Sequence, residues 1–238
     1  MAARPNWIST RPAVLGETCA QAQPGCIYLF LAGTPGVATL ANDWIHQNSL
    51  YYDAANGDVI VSSRHQDWIY QVDYNNGTGT GNILWLMGLD GAFTFNNINN
   101  DPYPWFSHQH DPGFDNTSTG ELTVFDDGNT RVAPPPIGLG SGNSRGMSLT
   151  VDETNMTVTP LLSQDLGVYS FALGSAHALG NGNYFFQPGT VAASASSSFA
   201  MELFPTGGTV NGTTVYNLQS ATSYRAWLMP SLYFPPAF

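Results

Sequence analysis

The feature that most constrains the fold is a hairpin pattern that recurs three times along the chain. Its copies are "YYDAANGDVIVSS", "FDNTSTGELTVFDD" and "HALGNGNYFFQPG", each a strand-like run, a glycine-centred turn and a second strand-like run. The turn glycines Gly57, Gly120 and Gly182 recur at an interval of about 62 residues, which is room for about four strands. Helical periodicity is almost absent. The pattern predicts an all-β fold made of β-propeller blades, with a sandwich that has coincidental turns as the alternative.

The length of the chain limits how many such blades it can hold. An interval of this size fits fewer than four times into 238 residues, whereas propellers close with about four to eight blades. We therefore expect about three to four blades, formed by residues 44–238, and the remains of one more within residues 1–43. An incomplete propeller leaves two blade faces uncovered. We expect it to need a missing N-terminal half or to form a homo-oligomer.

Composition excludes several classes of partner. A formal net charge of −11 without a basic cluster argues against nucleic acid and against an anionic membrane surface. Charged residues are only 10% of the chain, so the surface must consist largely of Asn, Ser, Thr and Gln, which suits an extracellular all-β protein. Cys19 and Cys26 predict a small disulfide loop, with two buried free thiols as the alternative. No apolar run is long enough to span a bilayer.

One of the scarce basic residues marks a candidate site. All six are Arg, and Arg64 ends the strand-like run "DVIVSSRHQ". If Asn56–Gly57 is a two-residue turn, Ser49 pairs with Arg64, and His46 lies roughly 10 Å further along the same strand line. Aligning the second repeat on the first puts His108 level with His46, and His110 level with Asn48. We therefore expect imidazoles from two blades and one guanidinium at a shared opening that could hold an anion.

Longer motifs then resemble a known family. They are "HQNSLYYDAANGDVIVSSRHQDWIYQVD", "ILWLMG", "SHQHDPGF", "SRGMSLTVDE", "GSAHALGNGNYFF" and "SYRAWLMPSLY", and from about residue 44 to the end they resemble the arylsulfate sulfotransferases. The resemblance implies a six-bladed propeller that is secreted or periplasmic and that uses no cofactor. It implies transfer of a sulfuryl group from an aryl sulfate to a phenolic acceptor, in a ping-pong reaction through a sulfated histidine, without the nucleotide sulfate donor.

The resemblance also assigns residues. His110, in the Gln-His-Asp motif, matches the nucleophile, and His46 and Arg64 match the residues that bind the sulfuryl group. The remaining substrate-binding candidates are Asn48, His108, Trp105 and Phe106, of which the two aromatic residues could hold an aryl ring. The family's further binding histidine, in an earlier blade, has no counterpart in this sequence.

Structural alternatives stand beside these assignments. Arg64 could pair with Asp43 or Asp67, and His46 could be a capping residue. The pattern around His65 and His177 favours structural roles, and "FDDGN" reads Asp126 and Asp127 as turn residues.

For the chain as a whole, the alternative is a non-catalytic, truncated propeller that binds an anion or a glycan or that assembles with itself. A zinc site built from His46, His108 and His110 is a weaker reading, because nothing in their spacing demands a metal, and we expect none.

Overall fold

Strands make up most of the described chain, and all but one short strand pair with a neighbour in the sequence. The computed structural model describes residues 27–28, 40–41, 45–89, 91–98, 101–116, 120–132, 142–191, 197–206, 209–218 and 221–229. Within residues 1–43, β1 (Ile27–Tyr28) pairs antiparallel with β2 (Leu40–Ala41). The predicted Cys19–Cys26 disulfide lies outside the described residues.

Three four-stranded antiparallel meanders follow one another along the chain. The first consists of β3 (Gln47–Asp53), β4 (Asp58–Ser63), β5 (Trp68–Val72) and β6 (Ile83–Met87). The second consists of β8 (His110–Asn116), β9 (Glu121–Asp126), β10 (Arg145–Asp152) and β11 (Thr157–Asp165), and the short β7 (Thr94–Phe95) joins β11 in parallel. The third consists of β12 (Gly174–Ala178), β13 (Tyr184–Pro188), β14 (Ser198–Thr206) and β15 (Thr209–Leu218). One short α-helix, α1 (Asn129–Val132), interrupts the strands among the described residues.

The predicted recurrence of glycine turns is confirmed. Gly57, Gly120 and Gly182 each lie between the first two strands of a sheet, with φ values of +75°, +64° and +83°. This left-handed backbone is easily adopted only without a Cβ, which is why glycine recurs at the three turns.

The predicted register of the first hairpin is wrong. Asp53 pairs with Asp58, so the turn spans residues 54–57 rather than Asn56 and Gly57 alone. The Asp53 carboxylate stabilises this wider turn by accepting the Ala55 N–H at 3.0 Å and the Asn56 side-chain amide at 2.7 Å. The shift removes the expected Ser49–Arg64 pair. Ser49 pairs with Ser62 instead.

Apolar side chains hold the three sheets face to face. One cluster joins the first sheet to the second, and its largest members include Ile60, Trp85, Phe106, Leu122 and Met147. A second cluster joins the second sheet to the third and includes Phe125, Leu162, Ala176, Phe186 and Leu203. The first strands also lie side by side, since β3 contacts β8 and β8 contacts β12. The residues at the start of β8 therefore face groups from both neighbouring sheets.

Candidate active site

A backbone hydrogen bond fixes Arg64 beside His46. Strand β4 ends in a 3-10 turn, Arg64–Gln66, and the Arg64 N–H donates to the His46 carbonyl at 3.0 Å. The guanidinium is buried, with the residue 5% exposed. Its Nη1 lies 2.6 Å from Nε2 of His65, and its Nη2 donates to the Phe171 carbonyl at 2.7 Å. No carboxylate in the described part of the chain forms a salt bridge with it, and its Nε lacks a hydrogen-bond partner there. A buried cation that forms no salt bridge with the described carboxylates is suited to an anionic ligand.

Three imidazoles form a row beside this guanidinium. The His46 and His65 ring centroids are 4.8 Å apart, and those of His65 and His108 are 5.5 Å apart. Asp67 anchors the far end, because its Oδ1 accepts the His108 N–H at 2.7 Å and lies 3.0 Å from the His108 Nδ1. His65 therefore stands at the centre of the row. In the sequence, only its place directly after Arg64 indicated this role.

His110 lies at the start of β8 and is 1% exposed. Its Nδ1 is 2.5 Å from Oδ2 of Asp127, and its Nε2 accepts the Leu173 N–H at 3.3 Å. A nitrogen that accepts a hydrogen bond carries no proton, so the proton of the neutral ring is on Nδ1 and points at Asp127.

Burial is the main reason that the pKa of His110 lies well below its ordinary value, and the charges of Arg64, His46 and Arg225 lower it further. A neutral imidazole near pH 7 can act as a nucleophile.

Asn48 links the first and second sheets next to these groups. Its Nδ2 donates to the Gln109 carbonyl at 2.7 Å, while its Oδ1 is buried without a partner among the described residues. Gln109 in turn donates from Nε2 to the Trp68 carbonyl at 2.8 Å and to the Ser62 hydroxyl at 3.0 Å. The residue between the two histidines of the second repeat is thus tied to the first sheet.

Strained backbone is concentrated around this site. Of the nine non-glycine residues with positive φ in the described chain, five lie here: His46 (45°), Asp67 (55°), His108 (52°), Asp111 (51°) and Leu173 (66°). Each such residue costs on the order of 1 kcal/mol, and such strain tends to cluster at functional sites.

The sequence model of the arylsulfotransferase (ASST) family matches residues 31–225, which is most of the chain. The chain belongs to the arylsulfotransferase family. A comparison with curated proteins gives no significant match.

For an arylsulfotransferase, the residues that line apolar cavities matter because the substrates carry aromatic rings. A cavity of about 150 Å³ opens beside Asp67 and Ser107 and is walled by Leu89, Tyr103, Trp105 and Phe106. Trp105 packs edge-to-face on Phe106 at 5.8 Å between ring centroids. Phe106 is also part of the core between the first two sheets. Both aromatic residues predicted to hold an aryl ring thus border one small apolar cavity next to His108.

The C-terminal segment brings further groups to the site. The Tyr224 hydroxyl and Arg225 Nη2 both donate to the Asn48 carbonyl at 3.1 Å, and Arg225 Nη1 lies 3.0 Å from Asp111. The Ala226 N–H donates to the Ser175 hydroxyl at 2.8 Å. Residues 224–226 therefore contact the first strand of each of the three meanders, beside a larger cavity of about 620 Å³. Because residues 224–226 lie far along the sequence from Asn48 and Asp111, only the resemblance of "SYRAWLMPSLY" to the family indicated this contribution.

His177, read from the sequence as structural, also faces that larger cavity. Its Nε2 lies 3.4 Å from Asp111, and its ring stacks between Phe185 and Trp227.

Within the described ranges, no group of three or more His, Cys, Asp or Glu side chains is arranged to hold a metal ion. No helix in the part of the chain that the structure describes has the length and apolarity needed to cross a membrane.

Proposed function

We propose that this arylsulfotransferase moves a sulfuryl group from an aryl sulfate to a phenol by a ping-pong reaction in which His110 is sulfated. The observation that carries the proposal is a buried imidazole, held by Asp127, that lies within the electrostatic influence of Arg64, a buried guanidinium without a salt bridge to the described carboxylates. One is a nucleophile, and the other is an anion-binding group.

The reaction consists of two displacements at sulfur. The Nε2 lone pair of His110 attacks, the N–S bond forms, and the S–O bond to the aryl group breaks, so that the phenolate leaves with the bonding electrons. In the second displacement the acceptor phenol attacks sulfur, the N–S electrons return to Nε2, and the phenol proton passes to water. A phenolate leaves more readily than an alkoxide, which favours aryl donors.

The side chains around His110 have complementary roles in this proposal. Negative charge spreads over three sulfuryl oxygens in each transition state, and the Arg64 guanidinium with the row of His46, His65 and His108 can donate hydrogen bonds to them. The aryl ring would bind in the cavity walled by Trp105 and Phe106. Because the net charge of −11 repels a sulfate ester, this local positive group must supply the attraction.

Donor binding requires one local rearrangement. The Phe171 carbonyl holds Arg64 Nη2, and the Leu173 N–H holds His110 Nε2, so both groups are covered by one short segment. A bound sulfuryl group would replace these two contacts. Because the same cover occupies the lone pair of His110, it also favours the second candidate function, a non-catalytic module that assembles with itself.

We further propose that the three meanders are blades of an incomplete propeller of the family's six-bladed type. Their stacking, with the first strands side by side, supports this arrangement. Further blades or a second copy would complete the ring. We also propose that the protein is secreted or exported to the periplasm.

The experiment that separates the two functions is a turnover assay with a chromogenic aryl sulfate and a phenol acceptor. The wild-type chain should release the chromophore over many turnovers when a phenol acceptor is present and at most once per chain without it. His110→Asn should release none while keeping its β-sheet circular dichroism. Full activity in His110→Asn would reject the assigned nucleophile. No release and no sulfated protein in the wild type would favour the binding module.

A further inference from the structure

We propose that Asp127 is a positioning residue for sulfuryl transfer, holding His110 in the tautomer whose Nε2 attacks sulfur and compensating the charge of the sulfated ring. This inference rests on the function proposed above. The sequence predicts turn positions for both Asp127 and its neighbour Asp126, but in the structure their carboxylates contact different groups.

The two adjacent carboxylates have different partners. Asp126 accepts from Arg145 Nε at 2.7 Å, from Arg131 Nη2 at 3.0 Å and from the Ser107 N–H at 2.8 Å, so it organises the surrounding loops. Asp127 directs Oδ2 at His110 Nδ1, 2.5 Å away, and its Oδ1 has no partner among the described residues. The imidazole is therefore the one side-chain hydrogen-bond donor that reaches this fully buried carboxylate within the described chain.

The backbone around Asp127 is held firmly, as a positioning role requires. The Asp127 carbonyl accepts the Ser144 hydroxyl at 2.9 Å, and the Gly128 N–H donates to the Ser107 carbonyl at 3.0 Å. Asp127 directly follows β9, so its carboxylate is aimed from the end of a paired strand. The Leu173 N–H at Nε2 fixes the other side of the ring.

The chemistry gives this pair a specific task. When the Nε2 lone pair forms the N–S bond, Nδ1 keeps its proton, and the ring becomes a cationic N-sulfoimidazolium. A carboxylate at Nδ1 lowers the free energy of that cation, and it excludes the tautomer in which Nε2 carries a proton and has no lone pair for attack. No other reactant is needed. When the acceptor takes the sulfuryl group, the neutral ring and its Nδ1–H···Asp127 hydrogen bond are restored.

Several ionisable groups act on the pair, and they set its pH dependence. Burial raises the pKa of the Asp127 carboxyl well above its ordinary value, Arg64 lowers it and Asp126 raises it. The groups that interact electrostatically with one or both members of the pair are Arg64, His46, Arg225, Asp126 and Tyr169.

The test compares Asp127→Asn with Asp101→Asn in the intact chain. Asp101 pairs with Arg145 at 2.8 Å and does not contact His110, so its variant controls for loss of a nearby carboxylate. The readouts are the single-turnover rate of protein sulfation by a chromogenic aryl sulfate, its pH profile, and the tautomer of His110 from imidazole ¹⁵N shifts. We expect Asp127→Asn to slow sulfation roughly 10²- to 10⁴-fold and to lose the pH limb that Asp127 contributes, with both effects small in Asp101→Asn.

The possible results distinguish a failure of the positioning role of Asp127 from a failure of the proposed sulfuryl transfer. Sulfation by Asp127→Asn within about threefold of the wild-type rate would overturn the inference and leave the function standing. If the wild type itself is never sulfated, the function fails, and the ¹⁵N shifts still test the positioning. If Asp127→Asn does not fold, the wild-type shifts decide: a proton on Nδ1 supports the inference, and a proton on Nε2 overturns it.

Discussion

The backbone N–H of Arg64 donates to the carbonyl oxygen of His46 at 3.0 Å, which fixes two groups of the candidate sulfuryl site relative to each other through the main chain of one hairpin. This relationship depends on the four-residue turn that Asp53 stabilises, because a two-residue turn would place Ser49 opposite Arg64. The turn and the register shift between Gln47 and Ser49 therefore determine together which residue lies opposite Arg64.

Replacing Arg64 by lysine tests whether the planar guanidinium is required. Arg64→Lys keeps the charge but removes the fork that can hold two sulfuryl oxygens, so we expect kcat/KM for an aryl sulfate to fall about 10- to 100-fold. Arg64→Gln, which removes the charge as well, should lose more. Steady-state kinetics on variants with unchanged circular dichroism would measure both, and three equal values of kcat/KM would argue that Arg64 does not bind the donor.

Replacing Trp105 tests the apolar cavity as the aryl site. Trp105→Ala removes one wall and should raise KM for an aryl donor about tenfold, while Trp105→Phe keeps an aromatic wall and should change it less. The matched control is Trp227→Ala, which alters the other cavity. If Trp227→Ala raises the donor KM and Trp105→Ala does not, the aryl ring of the donor binds in the larger cavity beside Trp227.

The buried, neutral state of His110 predicts how stability depends on pH. Because the pKa of His110 is lowered in the folded chain, the unfolded chain binds a proton that the folded chain excludes below about pH 6.5. The contribution of His110 to the free energy of unfolding should therefore fall as pH drops below that value, until the lowered pKa is reached. Urea denaturation of the wild type and His110→Asn at several pH values would measure this contribution as the difference between the slopes of the two proteins. Equal slopes in the two proteins would mean that His110 is not held neutral.

The contact between the second and third sheets can be tested at Gly146. A Cβ there would lie 2.5 Å from the buried Phe186 ring, so Gly146→Ala should destabilise the fold by about 1–3 kcal/mol. Gly180→Ala is the control, because nothing lies within 4 Å of its Cβ position. Urea denaturation midpoints give the comparison. An unchanged midpoint for Gly146→Ala would mean that the two sheets are less tightly packed than described.

The sequence predicts the repeating part of the fold because the three turns need a residue that tolerates positive φ. Gly57, Gly120 and Gly182 therefore mark the hairpins without any knowledge of tertiary contacts. The register was mispredicted because the Asn-Gly pair favours a two-residue turn, whereas the carboxylate of Asp53 selects a longer one.

The candidate site was predictable where its residues lie in one motif, and less so where contacts join distant segments. Arg64 and His110 stand out by the ends of their strands and by family motifs. Asp127 does not, because its importance arises from a three-dimensional contact with His110 that no local pattern encodes. Arg225 lies in a family-like motif, but its contact with Asp111 is equally hidden in the sequence.

Mapping the modified residue after incubation with an aryl sulfate tests the central claim most directly. The chain should gain the mass of one acid-labile sulfuryl group, fragmentation should place it on His110, and addition of a phenol should remove it. A stable chain mass in the presence of donor, or a sulfuryl group on any other residue, would contradict the account.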